Sequence, residues 1–558
     1  MRLKGILRKK MIKVKQPPYP KVLMEEPKTL MPLPIFKDAS KIDVRYPLLE
    51  PFAYAHIVWD TDEKKLVYYV EEPQLSVQDK KDYDKISKTL TELIDVKITA
   101  MTRETAIEYL QKKIKLVLEE LNFTLPHDSY VRIMYFIIRN FVGMNEIEPL
   151  LHDPYIEDMG VSGLGIPVFI VHRKYGPMET NIMFKDAEYL NDFVIKIAEK
   201  SGRYISYATP LLGGTLPDGS RIQASLAKDV TTKGPTFSIR KFRRNPYSPA
   251  DVLNMRSTSP KMLAYLWFLI EHTRSILICG GVSTGKTTFL NTLCMFIPPE
   301  NKVVSIEDVR EINIPHINWI PATSRAGFGI PMAGGTRYGE VTLFDLLKES
   351  FRMKPDYTIV GEVRGKEAYV MFQGMASGNP SLGTIHAGSV DDVIKRLETP
   401  PIEISPALIE ALDVLIVMVA AKEKGKSARR VKEVVEIQSM DISTGKALTI
   451  KAFTWLPGVD KFKDNTENSQ LLRRISFETG TPHNKIMEEL EVRAKVIEWV
   501  QKYNIVQYDE FCKIINMYYR DKNTLLDWVE KNVPPYKTKV KEIISELWES
   551  ATGLKIWK

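Results

Sequence analysis

Eight consecutive residues, Gly280-Gly281-Val282-Ser283-Thr284-Gly285-Lys286-Thr287, constrain this 558-residue chain more than any other feature. They read as glycine, four free positions, then Gly-Lys-Ser/Thr. The apolar run Ser275-Ile276-Leu277-Ile278-Cys279 precedes them and the helix-compatible run Thr288-Phe289-Leu290-Asn291-Thr292-Leu293 follows. Strand, loop and helix in that order are the context a phosphate-binding loop needs. Its glycines let backbone N–H groups converge on phosphate oxygens, and the helix N-terminus adds a favourable potential. In this reading Gly280 to Thr288 cradle a nucleoside triphosphate. Lys286 reaches the β- and γ-phosphates, and the Thr287 hydroxyl ligates Mg²⁺. ATP and Mg²⁺ are the expected ligands.

The chain is too long for one core, and three or four domains are expected. A composition of 44% hydrophobic and 27% charged residues is that expected of an ordinary soluble globular protein. No apolar run is long enough to span a bilayer; the best candidate, Ala411 to Ala421, contains Asp413 and reads as a buried strand. The N-terminus lacks the apolar core of a secretory signal, so a cytoplasmic location is expected. Cys279, Cys294 and Cys512 have no metal-ligand spacing, and reduced thiols are expected. Part of the +8 net charge is local: Arg2, Lys4, Arg8, Lys9, Lys10, Lys13, Lys15 and Lys21 occur without an intervening acid. Such a tail can touch anionic lipid or nucleic acid, or simply be solvated.

Pattern divides the chain into five parts. Residues 1–50 are basic, then proline-rich, and are expected to pack little core. Residues 51–244 mix strand patterns (Ile57-Val58-Trp59, Leu66 to Val70, Pro167 to His172, Thr236 to Arg240) with helical ones (Ile107 to Leu121, Tyr130 to Phe141), giving an α+β N-terminal domain. Residues 245–250, opening Asn245-Pro246-Tyr247-Ser248-Pro249, read as a linker with a helix start just beyond. Strands and helices alternate over 251–460, as in a doubly wound α/β core. From 461 to 558 the pattern is helical, with Thr481-Pro482 as a start and Ile486, Leu490, Ala494, Ile497 and Val500 as one apolar stripe.

Three segments beyond the loop narrow the chemistry. Val303-Val304-Ser305-Ile306-Glu307-Asp308 is an apolar strand ending in two carboxylates, one of which could orient or deprotonate the attacking water. Tyr357-Thr358-Ile359-Val360-Gly361-Glu362-Val363-Arg364 brings Glu362 to a strand end, where it can support Mg²⁺ through water. Leu382-Gly383-Thr384-Ile385-His386 ends a strand in a histidine that could contact the γ-phosphate or serve structure alone.

In order and approximate spacing, these four segments resemble the secretion ATPase superfamily, which includes type II and type IV secretion, type IV pilus and archaellum motors. The family knows the last three as the Asp box, the atypical Walker B and the His box. Glu146-Ile147-Glu148-Pro149-Leu150-Leu151-His152-Asp153, Leu216-Pro217-Asp218-Gly219-Ser220-Arg221-Ile222-Gln223 and Phe237 to Phe242 resemble its N-terminal signatures, and Val171-His172-Arg173-Lys174-Tyr175-Gly176 most resembles the archaeal branch. The likeness covers roughly residues 125 to 460.

The resemblance implies a RecA-like P-loop NTPase core, preceded by the α+β N-terminal domain and followed by the helical C-terminal extension. It implies Glu307 as catalytic base, Glu362 as the Mg²⁺-supporting acid, His386 as phosphate sensor, and Arg221 and Arg240 as arginines turned toward the nucleotide across a domain or subunit boundary. Arg325, Arg337 and Arg352 are further interface candidates. It also implies a homo-hexamer working on a polytopic membrane protein at the cytoplasmic face. The four-cysteine element often found after the His box in bacterial type II relatives has no counterpart here, so no zinc is expected. The competing readings are a nucleic-acid translocating ATPase and a nucleotide-dependent scaffold without turnover. Interleaved aromatics of a single-strand channel are not evident, which disfavours a nucleic-acid partner.

Overall fold

A computed structural model describes residues 19–534 except 28–30, 35, 95–100, 122, 227–229, 243–245, 315, 326, 328–336, 424–425 and 442–444; at 422, 423, 426 and 427 it describes the backbone alone. The basic positions 2–15 therefore lie outside the described residues, as does Asn245. The chain forms two compact units, Met1–Phe242 and Arg243–Lys558.

The first unit is built on nine strands: β1 (Asp43–Leu49), β2 (Ala53–Asp60), β3 (Lys65–Glu71), β4 (Ile156–Val161), β5 (Pro167–His172), β6 (Gly176–Met183), β7 (Leu211–Thr215), β8 (Arg221–Ser225) and β9 (Thr236–Arg240). They lie in the order β1-β2-β3-β6-β5-β4-β9-β8-β7, antiparallel throughout except β3 beside β6. Alternating burial along β5 and β9 marks one face on the core and one toward water. Helices α1 (Val77–Leu93), α2 (Arg103–Glu120), α3 (His127–Phe141), α4 (Glu148–His152) and α5 (Ala187–Lys200) complete the unit.

Two features of this unit depart from expectation. β1 falls inside the segment expected to pack little core, and Val22, Leu33, Ile42 and Val44 are all buried. The proline-rich stretch is extended, so its carbonyls are available to neighbours: Tyr155 Oη donates to Met31 O and Tyr175 Oη to Pro34 O. Proline prevents regular pairing but not this kind of strapping.

The second unit carries the other nine strands: β10 (Ile276–Gly280), β11 (Val303–Glu307), β12 (Trp319–Thr323), β13 (Tyr357–Val363), β14 (Ser381–Ile385), β15 (Val414–Glu423), β16 (Lys426–Asp441), β17 (Lys446–Leu456) and β18 (Lys461–Asp464). Their order is β12-β11-β13-β14-β10-β15-β16-β17-β18. The first six are parallel, and β10, β11 and β14 are buried at every position, as strands covered on both faces must be. From β15 onward pairing is antiparallel.

Its helices are α6 (Pro249–Asn254), α7 (Pro260–Glu271), α8 (Lys286–Cys294), α9 (Leu343–Arg352), α10 (Glu367–Ala376), α11 (Val390–Glu398), α12 (Pro406–Ile409), α13 (Gln470–Thr479), α14 (His483–Lys502), α15 (Tyr508–Arg520) and α16 (Lys522–Glu530). α7 is apolar almost all round because β-strands cover one side and the C-terminal helices the other, in one shared core. Within that core Arg493 of α14 is buried against Glu271 and lies over the rings of Trp267, Phe268 and Tyr518.

The proline-flanked stretch read as a linker is anchored from Pro246 onward. Pro246 and Ser248 are buried, Thr292 Oγ1 donates to Tyr247 O at 3.0 Å, and Ser248 forms a reciprocal capping box with Asp251. The purely helical pattern expected from residue 461 begins one strand late, after β18. Pro482 itself, without a side-chain hydrogen bond, caps α14.

Candidate active site

The C-terminal ends of β10, β11, β13 and β14 are neighbours in one parallel sheet, so whatever follows those strands shares one edge. That edge is where α/β sheets open their ligand crevice. β10 runs into the Gly280–Gly285 loop and α8 starts at Lys286. Gly285 caps α8 at φ +89°, a left-handed conformation that a side chain would strain. Ser283 also has positive φ, +58°. Thr284 Oγ1 donates to Gly281 O at 3.0 Å, pinning the loop from within.

Lys286 Nζ donates to Gly280 O at 3.0 Å and Gly281 O at 2.9 Å, curling back over the loop. Partial burial lowers its proton affinity, and the nearby Glu362 carboxylate opposes that fall. Thr287 and Thr288 occupy the first turn of α8 and are half-buried.

Glu307, the last residue of β11, is only 3% exposed. Its Oε1 accepts from the Glu311 and Ile312 amides at 2.8 and 2.9 Å; its Oε2 is buried with no hydrogen-bond partner among the described residues. Burial outweighs those two amides and pushes the carboxyl up to about 7. The loop beyond it is tied to α8: Asn291 Nδ2 donates to Glu311 O, and Asn291 Oδ1 accepts from the Asn313 amide, both at 2.9 Å. Gly361 explains the glycine of Gly-Glu-Val-Arg, since a Cβ there would stand 2.9 Å from Glu307 Cγ. Thr384 Oγ1 closes the floor by donating to Gly361 O at 2.6 Å.

Glu362 is ion-paired through Oε2 with Arg364 Nη2, and Arg364 Nη1 lies 3.4 Å from Asp308 Oδ2. The Glu362 hydrogen bond raises the guanidinium's proton affinity. Asp308 also accepts from Ser324 Oγ at 3.0 Å. His386 follows β14 and is half-buried; its carbonyl accepts from Arg396 Nη1 at 3.1 Å.

The loop, Glu307, Glu362 and His386 therefore all belong to one edge of one sheet. Arg221 and Arg240 belong to the first unit, opposite each other on β8 and β9, with Arg240 Nε donating to Asp158 Oδ1 at 2.9 Å. Arg325 bridges to Val341 and donates from Nε to Gly339 O, Arg337 donates its amide to Glu340, and Arg352 pairs with Glu349 on its own helix.

Sequence reasoning gave no role to Arg364, Asn291 or Arg429, whose Nε donates to Ser283 O at 3.2 Å. Arg364 was legible inside its motif; the other two carry no sequence signal. Cys279, Cys294 and Cys512 are buried free thiols. No described helix is long and apolar enough to cross a membrane.

A family model described as type II/IV secretion system protein matches residues 147–449, more than half the chain. An uncharacterized protein of Methanocaldococcus jannaschii is 33% identical over 514 residues, 87% of this chain and 90% of its own. The type IV secretion system protein PtlH of Bordetella pertussis is 30% identical over 287 residues, 46% of this chain and 82% of its own. Among solved structures, the VirB11 ATPase of the Brucella suis type IV secretion system, in complex with sulphate, is 25% identical across 52% of this chain and 95% of its own. Its TM-score of 0.26 is too low to speak for the fold. The chain belongs to the type II/IV secretion system ATPase family.

Proposed function

We propose that this protein hydrolyses ATP with Mg²⁺ and couples turnover to assembly or movement of a type IV pilus-like or archaellum-like filament, or to secretion. The observation that carries the enzymatic part is Glu307. A carboxylate buried at the sheet edge from which the Gly280–Gly285 loop also leaves, with one oxygen pinned by two amides and the other without a partner among the described residues, has a proton affinity near neutral pH. A general base works best there.

Loop amides and Lys286 hold the β- and γ-phosphates. Thr287 and Glu362 offer a hydroxyl and a carboxylate, the hard oxygen donors Mg²⁺ takes, and Glu362 lies near enough to Lys286 to influence it. The bound ion would offset negative charge on the β- and γ-oxygens. Glu307 Oε2 takes a proton from water while the water oxygen bonds to the γ-phosphorus. The bond from that phosphorus to the bridging oxygen breaks, its electron pair leaves with ADP, and phosphate is released. His386 senses the γ-phosphate. Arg221 and Arg240 supply transition-state charge on the strength of the family resemblance.

The proposed divisions are an N-terminal domain (51–244) that β1 joins, a junction (245–250), an ATPase domain (251–460) that β18 joins, and a helical extension beyond it. A homo-hexamer on the cytoplasmic face, bearing on a polytopic membrane partner, would turn successive hydrolysis events into displacement.

The test is phosphate release by the purified full chain with Mg²⁺ and ATP, alone, with vesicles of phosphatidylglycerol and phosphatidylcholine, and with single-stranded DNA. We expect turnover that vesicles raise and DNA does not. Stimulation by DNA alone would favour a nucleic-acid translocase and contradict the proposal.

A further inference from the structure

The sheet order gives the candidate site two unlike flanks. Reading outward from β10, one side is β14, β13 and β11, whose ends carry His386, Glu362 and Glu307. The other side is β15 and β16, where buried Glu433, paired with Lys451, acts on Cys279 at the end of β10. These two strands contribute Met418, paired with Gly280, and Arg429, paired with Ala420 beyond the end of β10. The hairpin therefore overhangs the loop. A methyl placed on Gly285 would lie 3.8 Å from both Arg429 Cγ and Met418 Cε.

Arg429 is exposed, yet its backbone is held from behind. The next residue, Arg430, is 1% exposed and donates from Nη1 to the Arg429 carbonyl at 3.0 Å and to Met255 O at 3.0 Å. Asp460 grips the Arg430 guanidinium through both oxygens at 2.9 Å, and Trp455 Nε1 donates to the same carboxylate. A bidentate pair of this kind, with the guanidinium buried and the carboxylate part-exposed, fixes position more than it stabilises. Alternation along β16 then turns Arg429 outward, where Nε donates to Ser283 O, the loop residue held at positive φ.

These placements orient a bound nucleotide. If the phosphate to be cleaved lies toward Glu307 and Glu362, as the proposed function requires, the other end of the molecule is directed toward β15 and β16. We infer that Arg429 binds the nucleoside end of ATP and ADP, its guanidinium serving the sugar and base beyond the α-phosphate. It is thus an affinity determinant supplied by the antiparallel extension of the sheet. The inference rests on the ATP site proposed above. Arg429 takes no part in proton transfer. It holds the half of the nucleotide that survives hydrolysis, and so treats substrate and product alike.

Three probes separate the possibilities: ATP, ADP and inorganic tripolyphosphate, titrated calorimetrically into the full chain with Mg²⁺. Arg429→Ala is expected to weaken ATP and ADP alike, by about tenfold to a hundredfold, the worth of one charge-assisted contact. Tripolyphosphate, which has no nucleoside end, should change by less than about twofold on the same reasoning. Arg429→Lys should recover part of the loss. Melting without nucleotide should match the unaltered protein, because Arg429 is exposed.

A loss confined to ATP would put Arg429 on the γ-phosphate and overturn the inference. An equal loss of all three probes would make it only a brace for the loop, and no loss would dismiss it; either result overturns it too. Lys286→Ala, run in parallel, should lose all three. If the unaltered chain binds none of them, the ATP site falls and the role of Arg429 with it.

Discussion

Burying a carboxylate has a thermodynamic consequence at Glu307. Its folded-state proton affinity is raised, to about 7 from the ordinary 4.5, chiefly by burial. The stability this group contributes is thus complete below about pH 4.5 and is lost as pH rises toward 7. Across pH 5 to 8, at about 1.4 kcal/mol per tenfold, that loss amounts to about 2.5 kcal/mol. Glu307→Gln removes the titration while keeping an oxygen for the Glu311 and Ile312 amides. Any cost of burying the new amide is independent of pH and cancels when two pH values are compared.

Urea denaturation of nucleotide-free protein, followed by tryptophan fluorescence, suits the measurement, since every tryptophan among the described residues except Trp59 lies in the second unit. We expect Glu307→Gln to gain about 2.5 kcal/mol relative to the unaltered chain on going from pH 5 to pH 8. Stability curves that stay parallel over that range would refute a buried, strained carboxylate at this position.

Three other substitutions probe different parts of the site and fold. Lys286→Ala should lower ATP affinity by about a hundredfold or more, seen by titration with a fluorescent ATP analogue, because the proposed lysine contact to phosphate is removed. Gly361→Ala pushes a methyl to 2.9 Å from Glu307 Cγ. It should cut kcat about tenfold to a hundredfold with ATP affinity nearly unchanged, the effect of a displaced catalytic group. Arg493→Ala leaves Glu271 without its buried partner and removes a cation from three aromatic faces. Urea denaturation should show a loss of about 3–5 kcal/mol, without a direct effect on nucleotide affinity.

The parallel core was readable because strands covered on both faces have uninterrupted apolar runs, as in Ile276–Gly280 and Val303–Glu307. Glu307, the acid that closes the second run, marked the sheet edge that carries the loop. The antiparallel extension was less readable. β16 buries Glu436, which accepts from Tyr265 Oη and from the Gln470 and Leu471 amides that open α13, and it buries Arg430 against Asp460. Buried charges satisfied by distant partners make a core strand look solvated. The proline-rich strap misled for the opposite reason: backbone carbonyls of Met31 and Pro34 hold it alongside the buried side chains of Val22 and Leu33. Arg429 could not be found at all from local pattern, because only the pairing of β15 with β10 brings it to a loop 146 positions earlier.

The central claim is that a triphosphate held by the Gly280–Thr288 loop is cleaved with Glu307 as base. Its most direct test is a single-turnover measurement on the full chain with limiting radiolabelled ATP and Mg²⁺, comparing the unaltered protein with Glu307→Gln for bound ATP and released phosphate. We expect the variant to retain ATP while releasing phosphate about a hundredfold to ten-thousandfold more slowly, the usual worth of a general base. Phosphate release at the unaltered rate, from a variant that binds ATP normally, would contradict it.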